Sequence, residues 1–501
     1  MHDAHHVHHV HHQRPLASAF FVAGPSRYDL SDSHVLDPCV KPVILDSIGE
    51  VQIEDSKDTL PSLVEHMCFP DGVSLVPAPR VGAPTSSICK LAPISIFCMS
   101  VVPKIDEKIK IKKSENKDNH RDDRDDGGPT ALYGLCAAYD PSGTLAVSEH
   151  RASGTLVHVP LVMCLLTYEP FELRRLAKVL QEVLMMEEER ARGRLYRLRR
   201  GRSVGADVQE NGAIHVGDND DQYGKLCQKS RNRVMALLRQ RQVIPTNASN
   251  ASTALTGPLS SLMSPPPRLL PLFDWGGDHL FQRMTTERCL VLLGCALTEQ
   301  KIIFVSKHTS RLGAAVLAFV SLLSPLIWSG PLIPILPSHL NHILDAPFPL
   351  IAGVTTLEGD DLKQRQDDAV IVQLDKGRLF LPTTVTACYH EYKIPRCDQL
   401  SHDVASLYEG EERNGEKRSG GRRVVKKVAE RSKLAEMASV VRFKVDELLQ
   451  EIVSLVPVVE GNKYADDVET LRESNPFLAR VAGTQMCSHW RQHNDIRVEK
   501  E

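Results

Sequence analysis

The chain has 501 residues, of which 42% are hydrophobic and 25% are charged, a balance typical of globular proteins with room for about three domains. Its formal net charge is −3, so it lacks the overall basic field expected of a nucleic-acid-binding protein. The twelve cysteines form no CxxC pair, which favours the reduced, buried thiols of a cytosolic protein over zinc ligands or disulfides.

The N-terminal residues are rich in histidine and contain no apolar run, unlike a signal peptide. We expect residues 1–16 to be a disordered, low-complexity tail. Opportunistic chelation of a transition metal by these histidines is the alternative.

Residues 17–184 alternate short apolar runs with turn signals and end in an amphipathic pattern. The pattern predicts a helix over 171–183 after several strands, and therefore an α/β unit. The strand-like runs are residues 19–23, 94–99, 131–139 and 161–166. The mixed-charge run at 104–126 predicts an exposed insertion, with a partner-binding loop as the alternative.

The next segment is arginine-rich and then polar. Its arginines are Arg190, Arg192, Arg194, Arg197, Arg199, Arg200 and Arg202. A solvated helix face is the more common role of such a cluster, and binding to anionic lipid is the alternative. Residues 247–267 are rich in Ser, Thr and Pro and are typical of a linker.

The second block alternates predicted helices with apolar strands. The predicted helices are 287–297 and 312–323, and the extended segments are 301–306, 331–337 and 369–374. This alternation predicts a parallel sheet covered by helices on both faces. Residues 312–344 carry no Lys, Arg, Asp or Glu, but prolines interrupt them, so we assign them to the core and not to a membrane span.

The third block is predicted to be helical. Apolar residues recur every three or four positions from Leu434 to Leu455, and Pro457 follows them. A last helix is predicted over 476–493.

Motifs of enzyme active sites are missing from the sequence. It contains no phosphate loop, dinucleotide-binding glycine motif, nucleophile elbow or zinc-protease motif. Paired aspartates occur only in polar runs, where carboxylates stay ionised. We therefore predict no catalytic residue, cofactor or metal site.

Several segments of the second block, in this order, resemble the central part of the DENN family. They are residues 297–306 (LTEQKIIFVS), 323–328 (LSPLIW), 333–337 (IPILP) and 344–354 (LDAPFPLIAGV). Residues 20–24, 68–72 (CFPDG), 132–134 and 165–171 are similar to its upstream part, and 477–478 with 483–486 to its downstream part. Gln373 stands where the family usually carries an acidic residue, and Cys487 where it carries an aromatic one.

The resemblance implies an α/β fold with a longin-like N-terminal α/β lobe, a second α/β lobe whose central sheet is covered by helices, and a helical C-terminal region. The implied boundaries are residues 17–186 for the upstream lobe with an insertion at 104–128, 187–268 for a largely disordered linker, 269–380 for the central lobe and 381–501 for the downstream helical region.

The resemblance also implies a function. DENN proteins bind a Rab-type small GTPase and promote GDP release by favouring its nucleotide-free form, which is regulation without bond-breaking chemistry. A cytoplasmic protein with peripheral association at vesicle or endosomal membranes is expected. The alternatives are a DENN-fold scaffold without exchange activity and a membrane-recruited adaptor that depends on the arginine cluster.

One loop is the candidate contact surface for the GTPase. In α/β sheets, ligands favour the loops beyond the carboxyl ends of strands. The polar loop after the strand at 301–306 supplies Ser306, Lys307, His308 and Arg311 as partner-binding candidates. Helix capping by Ser306 or Thr309 is the equally weighted alternative.

Overall fold

The structure is a computed structural model of the chain. It describes residues 17–25, 41–49, 60–71, 73, 76–77, 93–101, 130–139, 146–149, 155–158, 161–168, 170–201, 225–240, 271–281, 284–357, 359–396, 398–399, 402, 422–455 and 470–498. The histidine-rich tail, the charged insertion and the Ser/Thr/Pro-rich linker at 247–267 lie outside these residues.

The chain divides into two compact units. The first consists of Met1–Cys68, Gly72–Ala92 and Ser100–Pro266, and the second of Phe69–Asp71, Pro93–Met99 and Pro267–Glu501. Two short pieces from the N-terminal half therefore belong to the second unit. The sequence assigned both pieces to the upstream lobe.

The first unit is built on antiparallel strands. Its strands are β1 (Ala19–Pro25), β2 (Pro42–Gly49), β3 (Val76–Pro77), β5 (Thr130–Tyr139), β6 (Ala146–Glu149), β7 (Thr155–His158) and β8 (Leu161–Thr167), and β4 (Ile94–Val101) precedes β5 in the chain. One sheet contains the order β2-β1-β8-β5, and a smaller sheet has the order β3-β7-β6. Every residue of β1 and β8 is buried, as expected of their unbroken apolar sequence.

Three helices complete the first unit. They are α1 (Leu60–Cys68), α2 (Leu173–Gly201) and α3 (Gln228–Leu238). Helix α2 continues beyond the lobe boundary predicted at residue 186, and α3 lies inside the range predicted as a linker. The side chains of Arg192 and the later arginines of the cluster lie outside what the structure describes.

Polar contacts attach α3 to its neighbours in the first unit. Arg233 donates to Glu182 of α2 at 2.6 Å, and Arg231 donates to Asp46 of β2 at 3.0 Å. The backbone N–H of Cys227 donates to Glu187 of α2 at 2.9 Å. Residues 225–240 of the predicted linker are thereby a component of the first unit.

The second unit has a mixed sheet with helices around it. Its strands are β9 (Ile302–Val305), β10 (Leu332–Ile333), β11 (Ile351–Val354), β12 (Val370–Gln373) and β13 (Arg378–Phe380). Its helices are α4 (Pro271–Phe281), α5 (Thr286–Leu297), α6 (Thr309–Ser321), α7 (Gly359–Gln366), α8 (Thr383–Ala387), α9 (Arg422–Leu455), α10 (Pro476–Ala482) and α11 (Gln485–Val498). Short 3₁₀ helices lie at Pro170–Glu172 in the first unit and at Ser338–Asp345 and Tyr389–Glu391 in the second.

The predicted parallel sheet is present in the second unit. The strand order is β10-β11-β9-β12-β13, and all pairs are parallel except β12 with β13. Successive residues of β9 enter different cores: Ile302 and Phe304 belong to one cluster, and Ile303 belongs to the other. Burial of both faces explains why the strand sequence is apolar without alternation.

The single helix predicted over 476–493 is instead two helices, α10 and α11. Gly483 and Thr484 separate them, and the carboxylate of Glu299 accepts hydrogen bonds from the backbone N–H groups of Gln485 at 3.0 Å and Met486 at 2.7 Å. Thr484 Oγ1 also accepts from the N–H of Cys487 at 3.2 Å. These acceptors satisfy the free N–H groups in the first turn of α11. The hydrophobic periodicity of the sequence does not reveal this helix start.

Residues 312–344 form α6, β10 and the turns around them, as the interrupting prolines indicated. No helix among the residues described is long and apolar enough to cross a membrane.

Candidate functional site

The candidate site is the loop between β9 and α6 in the second unit. Strand β9 ends at Val305, and α6 begins at Thr309. Because β9, β11 and β12 are parallel, the residues after them meet at one edge of the sheet, where α/β proteins commonly bind ligands.

A single carboxylate organises this loop. Asp375, two residues after β12, accepts hydrogen bonds from Ser306 Oγ at 2.9 Å, from the backbone N–H of Lys307 at 2.9 Å and from the guanidinium of Arg311 at 2.6 Å. The donors come from the β9–α6 connection and the acceptor from the end of β12. The cluster therefore joins two adjacent strand ends.

The electrostatics of the cluster favour the ionised carboxylate. Partial burial of Asp375 opposes ionisation, but the hydrogen bonds from Lys307 N–H, Ser306 and Arg311, together with the charge of Arg311, outweigh it and lower the pKa of Asp375. Charge-assisted bonds of this kind are stronger than neutral ones. The loop is thus held by a permanent negative charge at neutral pH.

The four predicted partner-binding residues divide into two pairs. Ser306 is buried and Arg311 is partly buried, and both bind Asp375. Lys307 and His308 are exposed. The first pair fixes the loop, and the second pair presents side chains at its surface.

The alternative role of these residues, helix capping by Ser306 or Thr309, is not what the structure shows. The N-cap residue of α6 is His308, whose side chain makes no capping hydrogen bond. Ser306 Oγ instead accepts from the backbone N–H of His308 at 3.2 Å while donating to Asp375. The capping prediction fails because α6 begins after His308. Ser306 therefore lies two residues before the N-cap position, and its hydroxyl oxygen reaches the N–H of His308 instead of those of the first helical turn.

A histidine from another helix adds to the electrostatics of this edge. Burial lowers the pKa of His279 in α4; the charge of Asp278 opposes this effect, and that of Arg311 reinforces it. The positive charge of Arg311 in the loop therefore acts on His279 in the same direction as burial, against its protonation. The sequence analysis did not identify His279, because this residue lies in α4, before β9, and no sequence motif connects it with the β9–α6 loop.

The residue that departs from the family pattern lies close to the cluster in sequence. Gln373 is buried at the end of β12, and its Oε1 atom has no hydrogen-bond partner among the residues that the structure describes. The acidic group that the loop uses is Asp375, two positions later. An acidic residue at 373 is therefore not needed to hold Ser306 and Arg311.

The segment Phe69–Asp71 contributes to the same sheet edge of the second unit. Thr355, directly after β11, donates its hydroxyl to Asp71 Oδ1 at 2.6 Å. The carbonyl of Pro70 accepts from the N–H of Ser338 at 2.8 Å and from its hydroxyl at 3.2 Å. These contacts explain why Phe69–Asp71 clusters with the second unit although it is distant in sequence.

Comparison with known protein families gives a match to the DENN (AEX-3) domain over residues 158–377. This part of the chain is similar to the DENN domain. The match includes β9, α6, β12 and the Asp375 cluster, so the candidate site lies within the matched region.

Proteins that share part of this sequence are much longer than the shared region. The "Elicitor of plant defense protein 1" of Fusarium odoratissimum is 38% identical over 117 residues, which are 23% of this chain and 12% of that protein. Its counterpart in Verticillium dahliae is 37% identical over 117 residues, 23% of this chain and 10% of that protein. The mouse "MAP kinase-activating death domain protein" is 34% identical over 125 residues, 24% of this chain and 8% of that protein.

Proposed function

We propose that this protein is a guanine nucleotide exchange factor for a Rab-type small GTPase and acts in membrane trafficking. The observation that carries the proposal is the match to the DENN domain over residues 158–377, since DENN domains are generally Rab exchange factors. The upstream longin-like lobe and the downstream helical region of such proteins correspond here to residues 17–186 and 381–501. Residence in the cytoplasm, with peripheral attachment to vesicle or endosomal membranes, belongs to the same proposal.

The proposed mechanism is differential binding. An exchange factor accelerates GDP release when it stabilises the transition state for release more than the GDP-bound GTPase. A thousandfold acceleration requires about 4 kcal/mol of such preference. A protein surface supplies this without an acid, a base or a metal, so the protein itself breaks no covalent bond.

The loop after β9 is the proposed contact surface within the matched region. Ser306 and Arg311 are engaged with Asp375, which keeps the loop in one conformation before a partner arrives. Preorganisation of this kind reduces the entropy lost on binding. Lys307 and His308 are exposed and would contact acidic or hydrogen-bond-accepting groups of the GTPase.

The test is release of fluorescent GDP from a panel of purified Rab GTPases. We expect the full chain to accelerate release from one member or a small subset. The double variant Lys307→Glu, His308→Glu should lower that acceleration by about tenfold or more, because reversed charge at a contact costs at least about 1.4 kcal/mol. The matched control is Lys363→Glu, which reverses an exposed lysine on α7 and should leave the rate unchanged.

The outcomes separate the competing functions. If the protein binds a nucleotide-bound Rab but accelerates GDP release from no Rab of the panel, a scaffold role is indicated instead of exchange activity. Vesicle binding that disappears when Arg192, Arg194 and Arg197 are neutralised, again without exchange, would favour the membrane-recruited adaptor. Equal rates of GDP release with the loop variant and with the control would show that the β9–α6 loop is not part of the contact surface. Exchange activity itself would not be contradicted by that result.

A further inference from the structure

Three cysteine side chains meet inside the first unit. Cys68, Cys136 and Cys164 place their sulfur atoms within 4.8 Å of one another, and the sulfurs of Cys68 and Cys136 are 3.7 Å apart. The cysteines are 68 and 28 positions apart in the chain, so their spacing gives no metal-binding motif. From the sequence we expected reduced, buried thiols and no zinc site.

The fold positions these sulfurs through three separate elements. Cys136 of β5 and Cys164 of β8 are directly opposite partners in the antiparallel ladder, where side chains on the same face lie close together. Cys68 is the last residue of α1, a helix that packs on β8. The cluster thus joins a helix end to the middle of two paired strands.

The surroundings of the cluster are apolar and exclude most solvent. Cys136 is 2% exposed and Cys164 is fully buried, while Cys68 is partly buried. Among the residues described, no histidine or carboxylate belongs to the group. Glu65, one turn before Cys68, uses its Oε1 atom to accept the N–H of Ile44 at 3.0 Å.

We propose that Cys68, Cys136 and Cys164 bind one monovalent copper ion through their three sulfurs. Sulfur donors select soft ions, chiefly Cu(I) and Zn²⁺. Structural zinc sites are closed by four protein ligands, and this cluster offers three. Cu(I) is satisfied by three sulfurs in a plane, so the donor number favours copper.

Copper binding at this cluster requires no oxidant or reductant. Each thiol that becomes a ligand releases its proton to solvent and gives a sulfur lone pair to the metal, and copper stays monovalent throughout. Burial of a thiolate in an apolar core is unfavourable by itself. The copper ion neutralises one of the three thiolate charges, and the copper–sulfur bonds offset the cost of burying the remaining negative charge. The bound ion would connect α1 to β5 and β8 and stabilise the first unit.

The test uses the full-length chain, fully reduced and free of oxygen, with Cu(I) supplied as its bathocuproine disulfonate complex. We expect the protein to take one copper ion per chain from this competitor. Cys136→Val and Cys164→Val, which keep an apolar side chain of similar volume, should each weaken copper binding by more than about tenfold. Cys289→Val, at a buried cysteine of the second unit, should leave it unchanged.

X-ray absorption at the copper edge of the loaded wild-type protein provides a readout that does not depend on any variant folding. We expect a shell of sulfur ligands only, with a coordination number of three. Failure to acquire copper, a site unaffected by both cysteine variants, an added nitrogen or oxygen ligand, or tighter binding of Zn²⁺ than of Cu(I) at these cysteines would each overturn the proposal. So would a Cys136–Cys164 disulfide recovered from the loaded protein.

Discussion

At the scale of single residues, Asp375 is the group on which the β9–α6 loop depends. It is the shared acceptor for Ser306, Lys307 N–H and Arg311, and these donors lie 64 to 69 positions away in the chain. An asparagine at this position keeps one acceptor oxygen for Ser306 and Arg311 but loses the negative charge, and it replaces the oxygen that accepts from Lys307 N–H with an NH2 donor. Hydrogen bonds to a charged group contribute more than neutral ones.

Asp375→Asn is expected to destabilise the second unit by about 1–2 kcal/mol, a value at the lower end for charged hydrogen bonds because the carboxylate is partly exposed. All three tryptophans, Trp275, Trp328 and Trp490, belong to the second unit, so urea unfolding followed by tryptophan fluorescence reports on it. The control is Asp398→Asn at a mostly exposed carboxylate that contacts Lys393, with an expected change below about 0.5 kcal/mol. Equal effects of the two substitutions would contradict the role of Asp375.

The stability contributed by Asp375 should depend on pH. Its pKa is lowered in the folded protein from an ordinary value of 3.8, so the folded state binds fewer protons than the unfolded state. The contribution is therefore complete at pH values above 3.8 and declines as the pH falls below it towards the folded pKa. We expect the urea midpoints of the wild type and Asp375→Asn to differ at pH 7 and to converge in acid; a constant difference would show that the charge of Asp375 is not responsible.

At the scale of elements, the packing of α4 against α6 is set by a glycine. A Cβ atom added at Gly276 would lie 1.9 Å from the backbone carbonyl oxygen of Ala314, far inside van der Waals contact. The two helices approach this closely because Gly276 has no side chain. The same helix α6 follows the candidate loop, so this packing also fixes where the loop ends.

Gly276→Ala should destabilise the second unit by about 1–3 kcal/mol, because the clash of a small-to-large change outweighs the gain of about 1 kcal/mol in helix propensity. Gly483→Ala is the matched control: its added Cβ would be 3.6 Å from its nearest neighbours, and its φ of −77° suits any residue. That control should be neutral or slightly stabilising. The measurement is again the tryptophan-monitored urea midpoint, and a neutral Gly276→Ala would refute the close helix contact.

At the scale of the whole molecule, the second unit is discontinuous in sequence. It recruits Phe69–Asp71 and Pro93–Met99 from the N-terminal half. Ile96 and Phe97 are buried, and the carbonyl oxygen of Ile96 lies so near α6 that a Cβ at Gly313 would be 1.9 Å from it. A unit defined only by the C-terminal half would lack these contacts.

Residues 267–501 produced alone should therefore be less stable than the same residues in the full chain. The piece alone lacks the hydrogen bonds that Thr355 donates to Asp71 and that Ser338 donates to Pro70, each of which contributes about 1 kcal/mol. It also lacks the close approach of the Ile96 carbonyl to Gly313. Joining residues 69–99 to this piece through a Gly/Ser linker should restore most of the lost stability. Tryptophan-monitored urea unfolding of the three proteins decides the matter, and equal midpoints would mean that the recruited pieces contribute nothing.

The sequence by itself determined the local elements. Apolar runs bounded by polar residues predicted β9 and β12, and residues 287–297 predicted α5 to within one residue of its observed start. Burial on both faces of a sheet, or along one face of a helix, leaves a periodic signal in neighbouring residues, so a single sequence is enough to find it. The resemblance to the DENN family has a different basis, namely the order of the family's motifs in the second block, and residues 158–377 match that domain.

Only the tertiary structure decided which distant polar and sulfur groups meet. Asp375 with Arg311, Glu299 with the start of α11, and the three cysteines of the first unit are brought together by packing of whole elements. Contacts of this kind produce no periodic pattern in the neighbouring sequence. The residues around one partner do not show which distant residue it will meet, because that depends on how whole elements pack. The four residues predicted as partner-binding share one loop, as their sequence positions require. Their division into two that bind Asp375 and two that are exposed depends on the carboxylate after β12.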